Sequence, residues 1–198
     1  MKKKTETTKE HQPHATTDTK PRRSSDIENA AKNTSDDIIE LILKDHVPLK
    51  ELIQTLKDPE LKRSEKEAPL EDFVTQLISH AKSEEKTLYV EMKEHKELRV
   101  ESFEGDTEHA IADQLVHEIN GTPDDDEWLA KVKVLAESVE HHIEEEEEVI
   151  LAEAEGVIDS KTREALGREY NRIKGEIDML SAGSMPLSRK RYQESRLN

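Results

Sequence analysis

Four histidines sit on apolar stripes where a hydrocarbon side chain is expected: His46, His80, His109 and His142. Two of them are followed four residues later by a glutamate on the same stripe, as His80/Glu84 and His142/Glu146. Residues i and i+4 share one face of a helix, so each pair points the same way. Imidazole nitrogen with carboxylate oxygen is a donor set for iron, manganese or zinc. Buried with neither metal nor partner, four imidazoles and two carboxylates would cost a small core heavily. In a chain with 46 Asp and Glu residues a Glu four after a His is a weak signal by itself. A stripe histidine is also commonly a hydrogen-bonded core residue, so position has to decide.

Ligands of one centre lie at one height in a bundle, and in an antiparallel hairpin the turn then falls midway between them. From His46 to His80 the midpoint is residue 63, inside the polar stretch Asp58–Pro69. From His109 to His142 it falls beside Gly121–Asp126. From His80 to His109 it predicts a turn near Lys93–Glu97 and makes Gly105 interior to a helix. Two midpoints land on independent turn signals, which supports a common layer. His117 paired with His142 would put a turn on Trp128-Leu129, inside a well-formed stripe. His95 lies at a predicted turn, His141 points about 100° away from His142, and His11 and His14 fall in a polar lead-in.

The elements that must carry these residues read as helices throughout, because the apolar residues recur at spacings of three and four and no strand-length alternation occurs. The first helix is expected from Thr34-Ser35-Asp36, with the stripe Ile39, Ile42, Leu43, His46, Leu49, Ile53, Leu56 and a kink at Pro48. The second stripe is Phe73, Leu77, His80, Glu84, Leu88. The third is His109, Ala112, Val116, Ile119, closed by Gly121-Thr122-Pro123. The fourth is Trp128, Val132, Leu135, Val139, His142, Glu146, Val149, and a last helix spans about Ser160 to Leu180. Short links favour antiparallel neighbours, so the expected fold is all-α: an antiparallel up-down four-helix bundle over 36–158 with an appended helix over 159–182. Residues 1–35 read as a disordered basic tail and 183–198 as a flexible one.

Composition bounds the partners. The 198 residues carry a net charge of −16, no cysteine and 3% aromatics. Residues 1–35 hold a single Leu, Ile, Val or Phe (Ile27) and a net +3, which leaves −19 on the rest. Without cysteine there is no disulfide, thiolate zinc site or thiol catalysis, which suits a reducing cytoplasm. No apolar run approaches a membrane span, and Lys2, Lys3 and Lys4 are not followed by a signal-peptide core. An acidic domain is also a poor nucleic-acid ligand; the basic residues Arg189, Lys190, Arg191 and Arg196 read as solubilising.

The elements Asp45-His46, His80-Ala-Lys-Ser-Glu84-Glu85-Lys-Thr-Leu88-Tyr89, Glu108-His109 and His141-His142-Ile-Glu-Glu-Glu146-Glu147 resemble the hemerythrin-like, HHE cation-binding domain over about residues 36–155. The resemblance implies a four-helix bundle around two iron ions (Fe2+/Fe3+) with bridging carboxylates and an oxo or hydroxo bridge. It carries His46, His80, Glu84, His109, His142 and Glu146 into ligand roles, in agreement with the spacing. Oxygen-carrying hemerythrins have a further histidine one turn after the third-helix ligand, where this chain has Asp113. That carboxylate is a further candidate ligand, and Glu147, one residue past Glu146, is another. The implied function is binding dioxygen, or sensing oxygen, iron or redox state. The alternatives are a di-iron enzyme acting on peroxide, nitric oxide or oxygen, for which Tyr89 is the nearest redox side chain or else plain packing, and a metal-free helical interaction protein. No dedicated substrate pocket is visible in the sequence, which leans toward binding and sensing. Metal ligands on core stripes also predict a looser metal-free form.

Overall fold

The computed structural model describes residues 36–183, all of whose regular structure is helical. The expected tails, with His11, His14 and the Arg189–Arg196 cluster, lie outside those residues except for Gly183, which ends the last helix. Asp37 opens α1 (Ile38–Lys57), its carboxylate accepting from the Ile39 amide at 3.0 Å. The helix runs through Pro48, and its buried stripe is Ile38, Ile42, His46, Leu49, Ile53 and Leu56. Ile38 therefore replaces the expected Ile39, which is half-buried, and Leu43 is exposed.

The connection that follows is shorter than predicted. α2 (Arg63–Glu85) starts after a five-residue link and contains Pro69 rather than starting behind it. A proline removes one backbone hydrogen bond, and the packing of Leu70 and Phe73 with the buried Lys66 ammonium on the Leu56 carbonyl (2.7 Å) holds the first turns in place. α2 stops at Lys86-Thr87, where the Thr87 hydroxyl donates to the Ser83 carbonyl at 2.6 Å and its amide to the Glu84 carbonyl. The chain restarts as the short α3 (Leu88–Glu94), turns at His95–Leu98 beside the predicted Lys93–Glu97, and continues as α4 (Arg99–Asn120) with Gly105 interior. α4 closes at Gly121, and Asp124 caps α5 (Asp125–Glu145) by accepting from the Glu127 amide.

The fourth stripe departs from its expected end. Glu146–Ile150 forms a π-helical turn before α6 (Leu151–Val157). A π turn adds a residue to the repeat, so Ile150 and Leu151 are buried while Val149 is exposed. Asp159 accepts from the Lys161 and Thr162 amides to open α7 (Ser160–Gly183).

α1 packs on α2 and α5, α4 on α5 and α3, and α7 on both α1 and α2. The apolar residues fall into two clusters. One is built from Leu49, Phe73, Leu77, Trp128 and Val139 with their neighbours; the other from Ile38, Ile42, Leu88, Met92, Ile150 and Tyr170 with theirs. Along α1 the change from one cluster to the other comes at His46, along α2 and α3 at His80 and Glu84, and along α5 and the π turn at His142 and Glu146. The polar residues therefore form a layer between two hydrocarbon cores.

Candidate metal centre

Six side chains fill that layer, and all are buried: His46, His80, Glu84, His109, His142 and Glu146. Two groups have ligand atoms all within 4.8 Å of one another, His46, His80, Glu84 and Glu146 in one, Glu84, His109 and His142 in the other. Glu84 belongs to both. Its Oε2 lies 3.3 Å from His80 Nε2 and 3.6 Å from His109 Nε2, and Glu146 Oε2 lies 3.3 Å from His46 Nε2 and 3.8 Å from His142 Nε2. The two remaining imidazole contacts are face to edge, with His46 and His80 centroids 4.9 Å apart and His109 and His142 centroids 4.8 Å apart.

The donor set fits metal cations because most of its inward atoms are unspent; His109 Nε2 and His142 Nε2, 3.2 Å apart, share a hydrogen bond with each other. His46 Nε2, His80 Nε2, both oxygens of Glu84 and Glu146 Oε2 are buried without a hydrogen bond. A buried polar atom ordinarily has a partner, and leaving five at one spot costs stability that a bound cation returns.

Each outward nitrogen faces a carboxylate, in a cyclic order, although His109 Nδ1 makes no hydrogen bond to the one it faces. His46 Nδ1 meets Glu147 at 3.0 Å, His109 Nδ1 lies 3.4 Å from Glu85, and His142 Nδ1 meets Glu108 at 2.6 Å. His80 Nδ1 reaches Asp45 at 3.9 Å, with the Tyr170 hydroxyl between them. Each of these carboxylates adjoins a candidate ligand in sequence and serves the histidine of a different helix: Asp45 of α1 serves α2, Glu85 of α2 serves α4, Glu108 of α4 serves α5, and Glu147 of the π turn returns to α1. Such outer partners fix the tautomer and aim the other nitrogen at the metal. The Tyr89 hydroxyl adds a last constraint, donating to Glu146 Oε1 at 2.9 Å.

The electrostatics follow the same division. Burial pushes Glu84 well above the usual carboxylate range, and the neighbouring Glu146 charge pushes it further. Burial acts on Glu146 in the same sense but is outweighed by its contact with His46 and the imidazole of His142, so it stays low. Burial lowers His80 to about 4 despite Asp45, so its imidazole is neutral at pH 7 and has a lone pair to give. Burial also disfavours charge on His142, but Glu108 outweighs it and raises that group.

The other candidate residues are placed differently. Asp113 is exposed and its carboxylate lies 3.0 Å from Lys82 Nζ, outside both groups. Glu147 stands behind His46 and pairs with Lys50. His117 and His141 are exposed, and His95 ends α3 against Glu91 at 3.2 Å. The spacing predicts no role for Asp45, Glu85, Glu108 or Tyr170. The three carboxylates were findable, because each directly adjoins a ligand; Tyr170 gave no signal, since nothing in the spacing ties α7 to the layer.

A family model for the hemerythrin HHE cation binding domain matches residues 37–154. No curated protein and no solved structure matches the chain.

Proposed function

Because this chain belongs to the hemerythrin HHE cation-binding family, we propose that it is a non-haem di-iron protein that binds or senses dioxygen, a related small ligand, or the redox or iron state itself. The observation that carries this reading is the set of inward nitrogens and carboxylate oxygens buried without partners. In this reading the four ligand helices form an antiparallel bundle. His46, His80, Glu84 and Glu146 hold one iron, and Glu84, His109 and His142 hold the second, with Glu84 shared.

Two irons held close together supply paired one-electron exchange with a small oxidant. The chain's own residues shape what reaches them. The cavity beside His109 and His142, lined also by Leu77, Ala112 and Val139, measures about 10 Å³, near the least that admits one water. Two larger grooves, of about 300 Å³ at Leu70, Val74 and Ile119 and about 370 Å³ at Lys50, Gln54 and Glu140, are lined by none of the six candidate ligands. A ligand of two or three atoms suits the space at the centre, and an organic substrate does not. That favours binding and sensing over an oxidase, and leaves peroxide or nitric oxide chemistry as the enzymatic alternative. The unpartnered donor atoms weigh against a metal-free interaction protein.

Anaerobic reconstitution with ferrous iron, metal counting and a visible spectrum on exposure to air test the proposal. About two irons per chain with oxo-to-iron absorption are expected. A protein that takes up no metal, and whose stability is unmoved by His80→Ala, would overturn it; uptake of manganese or zinc alone would overturn the assignment to iron.

A further inference from the structure

α7 lies beyond the residues matched by the family model, yet it reaches the centre. Its Tyr170 is buried, with the hydroxyl 3.0 Å from His80 Nδ1 and donating to Asp45 Oδ2 at 2.7 Å. Lys174, one turn on, pairs with the same Asp45 carboxylate. Gly167, one turn back, lets the helix settle on the start of α1, where a Cβ would stand 1.6 Å from the Asp36 carbonyl oxygen. Arg163 binds Asp37 there at 2.9 Å. Three of the four histidines meet an outer carboxylate directly; His80 alone meets its carboxylate through a side chain brought in from outside the four ligand helices.

That insertion sets a direction. A phenol has one proton, and here it goes to the Asp45 carboxylate, which Lys174 also contacts. The Tyr170 oxygen is then left to accept, and the group facing it is His80 Nδ1. A neutral imidazole has one N–H, so placing it on Nδ1 leaves Nε2 bare, and Nε2 is the atom that faces Glu84 inside the layer. The opposite tautomer would set the Nδ1 lone pair against an oxygen whose proton is committed. The hydrogen-bond chain is fully satisfied only in the form of His80 that can ligate.

We propose that Tyr170 is a positioning residue for His80, and that docking of α7 is thereby coupled to metal occupancy at the subsite His80 serves. The inference rests on the metal-binding reading above. Coupling is reciprocal: a metal on His80 Nε2 favours the docked helix, and the docked helix favours the metal.

Two measurements on the full chain test it. Metal-free wild type and Tyr170→Phe are titrated anaerobically with ferrous iron, resolving the two binding steps. The substitution keeps the ring and removes the hydroxyl, so one of the two metals is expected to bind about tenfold to a hundredfold more weakly, as for other outer partners, while the other is unchanged. Hydrogen exchange over residues 160–183 is followed in wild type with and without iron, with protection expected to rise on loading; this needs no variant to fold. A purely packing role for Tyr170 would weaken both metals alike or neither, and that result overturns the proposal, as does iron-independent protection of α7. Wild type that binds no iron overturns the metal reading and this inference together, whereas wild type that binds two irons with an unresponsive α7 overturns this inference alone.

Discussion

Tyr89 lies across Gly105 so closely that a Cβ on the glycine would stand 2.6 Å from the phenolic oxygen and 2.7 Å from the ring carbon that bears it. The ring has nowhere to yield. It is fully buried, stacks on His109 with centroids 5.5 Å apart, and donates to Glu146. Gly105→Ala is therefore expected to destabilise the metal-free protein by about 1–3 kcal/mol through overpacking. Tyr89→Phe removes the nearest clashing atom along with the hydrogen bond, so the double variant should cost less than the two single costs added, by about 0.5 kcal/mol or more. Thermal or denaturant unfolding of the four proteins measures the difference, and strict additivity would count against the contact.

The outer carboxylates and the exposed one are expected to separate cleanly. Glu108→Gln removes the charge behind His142 and should weaken metal uptake about tenfold to a hundredfold. Asp113→Asn removes an exposed partner of Lys82, should leave uptake of both metals intact, and should change stability by less than about 1 kcal/mol. Parallel metal titrations decide it. Loss of a metal from Asp113→Asn would make that residue a ligand after all.

How much of this was legible depended on whether a residue's neighbours in sequence were also its neighbours in space. The layer of four histidines is legible in the spacing, and the turns at His95–Leu98 and Gly121–Asp124 fall within about two residues of the midpoints 94.5 and 125.5. The Glu144–Glu148 run hides the π turn, because five equal side chains give no sign of a change in repeat, and the unbroken spacing places Val149 inward. Asp58–Pro69 reads as a connection because a proline is a local signal, whereas Lys66 on the Leu56 carbonyl is a tertiary one. Tyr170 is the extreme case: its role is set wholly by contacts with residues about 90 and 125 positions away.

Gly167→Ala tests the seat of α7. The added methyl would meet the Asp36 carbonyl, which is backbone and has no rotamer to change. The helix is expected to lift from α1, with amides over residues 160–183 exchanging roughly tenfold faster or more while those of α4 and α5 are unaffected. Hydrogen exchange by mass spectrometry reads this directly. Unchanged exchange in α7 would mean that the close approach at Gly167 does not hold the helix.

Glu84→Met should move stability and metal binding in opposite directions. Both oxygens of Glu84 are buried without a hydrogen bond, and burial with the nearby Glu146 charge holds its pKa far above the usual range. In the metal-free protein this residue is a liability, and replacing an unsatisfied buried acid by an apolar side chain of similar volume can stabilise by about 1–4 kcal/mol. Glu84 is also the one residue common to both candidate ligand groups, so the same change removes a donor from each. The metal-free variant should therefore melt higher than metal-free wild type and gain nothing from added iron. Wild type should gain on loading, because a ligand that binds only the folded state raises its stability. Calorimetry with and without ferrous iron gives all four melting temperatures. A variant that melts lower without metal, or still gains on loading, would show that Glu84 is held by interactions other than those of a shared cation ligand.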